Sequence, residues 1–129
     1  MRAIPLLTLV LIAGTAGAQQ SDRWVPVSIT ADGMVTEYDA KTISRTGDGV
    51  TVWVRYTYTR SPPVVYGKAV HHAMQRQYFN CSSLVSGVYS IITYTEDGNV
   101  VSSNTYERPS FESNVPGSVG EQTLDALCN

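Results

Sequence analysis

Two cysteines, Cys81 and Cys128, stand behind a removable leader, and their pairing constrains the fold of this chain more than any other feature. The leader runs from Met1 to Ala18. It carries a positive charge at Arg2, an apolar run from Ile4 to Ala13 and the small-residue exit Ala16-Gly17-Ala18. That layout predicts a secretory signal peptide cut after Ala18. The alternative, an uncleaved membrane anchor, would need a longer apolar run. Export places the chain where thiols oxidise, and an even cysteine count then implies a disulfide. Two cysteines allow one connectivity, so the end of the chain is expected to be fastened to its middle.

Removal of the leader leaves roughly 111 residues, a usual length for one domain. The core of such a domain is thin, and a cross-link strengthens it. The precursor has a formal charge of −2, and without Arg2 the mature chain stands near −3. Its basic residues are scattered, with Arg55, Arg60, Lys68 and Arg76 well apart. A nucleic-acid surface needs them concentrated, so that class of partner is not expected. After the leader nothing approaches the roughly 20 apolar residues of a membrane span. The leader exit carries no cysteine, so no N-terminal lipid anchor is expected.

Strand signals dominate the mature chain. Trp24 to Thr30 reads as a first strand, with Pro26 marking either a sheet edge or a place near the strand's start. Ala31-Asp32-Gly33 is a turn, and Val35 to Tyr38 is extended. Val50 to Thr59 alternates most clearly, with Val50, Val52, Val54, Tyr56 and Tyr58 on one face. Thr51, Trp53, Arg55, Thr57 and Thr59 take the other, the period-two pattern of a half-buried strand. Lys41 to Thr46 precedes it across Gly47-Asp48-Gly49 and forms a hairpin with it. Pro62-Pro63 then stops the ladder. A second hairpin joins Tyr89–Thr95 to Val100–Tyr106 across Glu96-Asp97-Gly98-Asn99. Residues 107 to 117 read as an ordered loop. Ser118 and Glu121 have capping-box spacing and open a terminal helix of about two turns, with Leu124, Leu127 and Cys128 on one face. Residues 68 to 80 fit either a helical stripe or a strand ending at Tyr78-Phe79.

Candidates for chemistry are few. Adjacent residues on a strand point to opposite faces, so His71 and His72 are not expected to share a metal. No CxxC or HExxH motif supports them, and no metal site or cofactor is expected. Ser82, Ser83, Ser86 and Ser90 lie in no Gly-x-Ser-x-Gly elbow, and no triad is nominated. Glu96-Asp97 occupy a turn, where acidic residues serve turn geometry. Glu107 and Glu112 are further carboxylate candidates, but nothing in the sequence points to the cleft between two supported carboxylates that glycoside hydrolysis needs. No catalytic residue is assigned, and the chain reads as non-enzymatic. The eight tyrosines and two tryptophans offer contact area with polar tips instead. If the face of Trp53 and Arg55 is solvated, those two residues mark a contact surface. If the terminal helix covers that face, Trp53 is core.

The order of certain pieces is familiar. Trp24, Tyr38-Asp39, Thr42-Ile43, Val52-Trp53-Val54 and Tyr78-Phe79-Asn80-Cys81 come first. Tyr94, Gly98-Asn99-Val100-Val101, Val115-Pro116-Gly117-Ser118, Glu121 and Cys128 follow. This series resembles the surface-adhesin protein E family of small exported proteins of Gram-negative bacteria. The resemblance covers Trp24 to Cys128. It implies an α+β fold: a small antiparallel sheet of five or six strands with a C-terminal helix packed on it. It also implies a Cys81–Cys128 bond tying helix to sheet, and strand from Met74 to Asn80. It further implies a single domain over residues 19–129 that binds a protein at the envelope or cell surface. In the founding members that partner is a host protein such as vitronectin or laminin. The alternative is a periplasmic accessory protein whose partner belongs to the bacterial envelope.

Overall fold

The computed structural model describes residues 22–129; the expected leader lies outside the described residues. Among the described residues ten strands and one α-helix follow in order. They are β1 (Trp24–Ile29), β2 (Met34–Asp39), β3 (Ser44–Thr46), β4 (Gly49–Tyr58), β5 (Val64–Val65), β6 (Lys68–Ala69), β7 (His72–Asn80), β8 (Val85–Tyr94), β9 (Val100–Thr105), β10 (Glu112–Ser113) and α1 (Val119–Cys128). Eight strands form one antiparallel sheet in the order β1-β2-β4-β7-β8-β10, with β3 also on β4 and β9 also on β8. Strands β5 and β6 make a separate small hairpin. The main sheet thus exceeds the expected five or six strands. Two of its members, β3 and β10, have only three and two residues, too few to show a period. Glu112–Ser113 pairs with Val85–Ser86 inside the stretch expected to be loop.

Local chemistry explains where the elements begin and end. Pro26 sits in the edge strand β1, and the β1–β2 register shifts between Pro26 and Ser28. A residue without an N–H is tolerated at such a position. Residues 40–42 form a single 3-10 turn instead of extending the hairpin. Asp39 caps it, its carboxylate accepting from the Lys41 N–H at 3.1 Å. Ser118 caps α1 as its spacing predicts: its hydroxyl accepts from the Glu121 N–H at 3.2 Å, and Glu121 accepts from the Gly117 N–H at 3.1 Å. Such a cap contributes about 1 kcal/mol. At Gly87 a Cβ would stand 2.7 Å from the Phe111 ring. Only glycine lets that ring dock on β8 and meet Tyr78 edge to face at 5.2 Å.

Registers fix the two faces of the sheet, because directly paired residues share a face. Val50 pairs with Phe79, Val52 with Gln77, Val54 with Gln75 and Tyr56 with Ala73. Helix α1 lies on this side. Val50, Val52, Val54, Phe79, Leu124 and Leu127 form the buried cluster, with Tyr38, Ile43, Tyr56 and both cysteines around it. Cys81, one residue past β7, is bonded to Cys128 in the last turn of α1, with Cα atoms 5.5 Å apart. The ambiguity over residues 68–80 resolves into two strands: β6 in the small hairpin and β7 in the sheet.

A candidate contact face

Trp53 pairs with Arg76, Arg55 with Met74 and Thr57 with His72, so these residues share the face that α1 does not cover. Glu37 joins them opposite Arg55, and Trp24 opposite Asp39. Ile92 joins through Met74, and Tyr94 through His72. Trp53 is half-buried among these neighbours, and the covered-core alternative does not hold. The helix packs on the valine face because Phe79 and Cys81 carry the tether to that side.

The side chains of this open face are braced by one another. Arg55 donates to Glu37 Oε1 from Nε at 3.2 Å and from Nη2 at 2.9 Å. Its guanidinium also lies 4.0 Å from the Trp24 ring centre, within reach of a cation–π attraction. Arg23 grips Asp39 from Nε at 3.0 Å and from Nη2 at 2.8 Å. Asp39 is 1% exposed, so this grip neutralises a buried carboxylate where β2 ends. Arg76 is exposed and stands 5.0 Å from the Tyr89 ring centre. A bulge between Arg76 and Gln77 leaves Tyr89 as the extra residue on β8. This face holds a shallow depression of about 310 Å³, lined by Trp53, Met74, Ile92 and Tyr94 together with Arg23, Asp39 and Thr42.

The histidines correct an expectation. His71 precedes β7 and is not part of it, so strand alternation does not separate the two rings. Its backbone is still fixed: its N–H donates to the Tyr94 carbonyl at 2.8 Å, and its carbonyl accepts from the Tyr58 N–H at 2.9 Å. The two Nδ1 atoms lie 3.0 Å apart, with ring centres 5.2 Å apart. The ring centres are farther apart by about two ring radii, so the nitrogens face one another head-on. One Nδ1–H then donates to the other ring's lone pair. The lone pairs of two metal ligands would converge on a third point instead. Among the described residues no group of three or more His, Cys, Asp or Glu side chains could hold a metal. His72 also stacks on Tyr94 at 4.7 Å.

His71 and Glu96, distant in the chain, line one cleft of about 430 Å³ with Tyr58, Thr59 and Pro62. A further carboxylate candidate, Glu112, lines a separate cleft of about 540 Å³ beside β8, together with Ser86 and Arg108. The Ser86 hydroxyl donates to Asn114 Oδ1 at 3.0 Å, and the Asn80 carboxamide oxygen accepts from the N–H groups of Ser82 and Ser83. Ser82 and Ser83 thus belong to the turn after β7, and Ser86, in β8, anchors the segment before α1. On the helix side, buried Gln77 donates to the Tyr56 hydroxyl at 2.7 Å and to Gln75 Oε1 at 2.9 Å. Burial pushes the Tyr56 phenol up from its ordinary value, so it stays neutral and holds the amide in place.

Burial, then His71, then Arg55 hold the His72 imidazole below the ordinary value of 6.5. The folded chain therefore takes up this proton less readily than the unfolded chain. Stability from this group is full above about pH 6.5 and declines as the pH falls below it. The thermal midpoint is expected to be lower at pH 5 than at pH 7.5, and His72→Gln is expected to narrow the difference. An unchanged difference in that variant would remove His72 as a source.

The model of one protein family, surface-adhesin protein E, matches residues 24–129. No curated protein and no solved structure gives a match. Among the described residues no helix is long and apolar enough to cross a membrane. The matched span begins at the first strand, runs through the braced open face and ends beyond the tethered helix: the chain belongs to the surface-adhesin protein E family.

Proposed function

We propose that this chain is an exported, non-enzymatic binding module of the Gram-negative envelope or cell surface. It contacts a protein partner through the open sheet face around Trp53 and Arg55. One observation carries the reading: the helix and disulfide close one side of the sheet and leave the other uncovered, furnished with tryptophan, tyrosine and arginine. Those residue types dominate the energetics of protein interfaces. Here they are pre-positioned by ion pairs and stacking, which lowers the entropy cost of binding. Family membership supports a host matrix or serum protein as the partner class. No cofactor is needed for such a role.

The test is surface plasmon resonance of the mature protein against immobilised laminin and vitronectin, together with protease shaving of intact cells. Trp53→Ala and Arg55→Glu, each checked by circular dichroism for retained fold, are expected to weaken binding about tenfold or more. Binding unaffected by either variant would move the contact off this face. Full protection of the protein inside the periplasm would replace the host partner with a component of the bacterial envelope.

A further inference from the structure

The charges of this chain are sorted between its surfaces. Of its eleven Asp and Glu residues, Glu37 and Asp39 lie on the open face, and each already holds an arginine. The others lie outside the open face, Glu112 of β10 pairing with Ser86 and through it with Phe79 on the helix side. Asp22 precedes β1; Asp32, Asp48, Glu96 and Asp97 sit in turns; Glu107 and Glu112 belong to the segment between β9 and α1; Glu121 and Asp125 are on the helix. The open face bears three arginines, Arg23, Arg55 and Arg76. It is locally positive on a chain whose formal charge is −2.

Arg76 is the arginine left over. It makes no ion pair or side-chain hydrogen bond among the described residues, and it stands exposed beside Trp53 across the β4–β7 ladder. Its one side-chain partner is the Tyr89 ring, 5.0 Å from the guanidinium carbon. An aromatic partner steadies a guanidinium while leaving its N–H donors free. Those donors form a rigid fork that matches a carboxylate in bidentate fashion.

We infer that the open face receives an acidic segment of its protein partner, with Arg76 taking a carboxylate and Trp53 packing alongside. This inference rests on the open face being the contact surface. The negative remainder of the molecule repels such a segment elsewhere, so the charge pattern selects the face as well as the ligand.

The experiment is an NMR titration of the mature protein with a capped hexaglutamate peptide, in parallel with capped hexaglutamine. Hexaglutamate is expected to shift the Arg76 Nε–H and Trp53 indole signals, with affinity falling as sodium chloride is raised. Arg76→Gln is expected to weaken this binding about tenfold, while Arg108→Gln, on the segment after β9, leaves it unchanged. Equal shifts with hexaglutamine would overturn the acidic preference, and binding that survives Arg76→Gln would overturn the assignment of the carboxylate to Arg76; either leaves the contact face standing. Hexaglutamate shifts confined to residues away from the open face would overturn both.

Discussion

Replacing both cysteines with serine is expected to lower the unfolding free energy by about 4 kcal/mol. The bond closes a loop with a sequence separation of 47 residues, and chain-entropy arithmetic for that length gives about this value. A domain of this size has a margin of about 5–15 kcal/mol in total, so the loss is a large share of it. The effect has a local face as well. Helix α1 has 10 residues, too few to be stable alone in water. Its Leu124 and Leu127 are 3% and 2% exposed, and the tether holds them against β4. Urea unfolding of the intact protein and the double variant measures the difference. Reductant should bring the wild type to the variant's midpoint and leave the variant unmoved. Intact exported protein should show no reactive thiol until reduced. Two reactive thiols in non-reduced material, or coincident midpoints, would end the tether account.

Phe79→Ala is expected to cost about 4 kcal/mol, the usual range for deleting a fully buried aromatic ring being about 3–5 kcal/mol. Phe79 is 0% exposed and pairs with Val50 on the covered face, two residues before Cys81. It meets the same buried cluster as Leu124 and Leu127, so its loss opens a cavity under the helix. The same urea series reads this out. Combining Phe79→Ala with loss of the disulfide should not give the sum of the two costs, because both act on how α1 seats on the sheet. A cost below about 1 kcal/mol for Phe79→Ala would mean that the helix settles into the space.

The parts of the fold legible in sequence are those where local pattern and burial coincide. Strand β4 declares itself because Val50, Val52 and Val54 alternate with Thr51, Trp53 and Arg55, and burial follows that alternation. Helix α1 declares itself through the Ser118 hydroxyl and Glu121. Pro26 marks an edge strand correctly. What escaped depends on register. Both faces of β4 carry aromatic residues, so the strand alone does not say which face the helix takes. That choice follows from Val50 meeting Phe79, a tertiary pairing. Strand β10 escaped because two residues have no period. The contact between His71 and His72 escaped because β7 starts one residue later than an unbroken strand reading assumes. Arg76 showed no signal of its own: an arginine in a strand is ordinary, and it stands out only once every carboxylate has been placed.

Because one side of the sheet holds the helix, the cross-link and the buried cluster, the other side is relieved of holding the molecule together. On the contact role we propose for that side, substitutions among Trp53, Arg55, Arg76 and Tyr94 bear on partner choice and leave the buried cluster untouched. On that role, a scaffold built this way could change what it recognises by a few point mutations while its cross-linked core keeps the same packing.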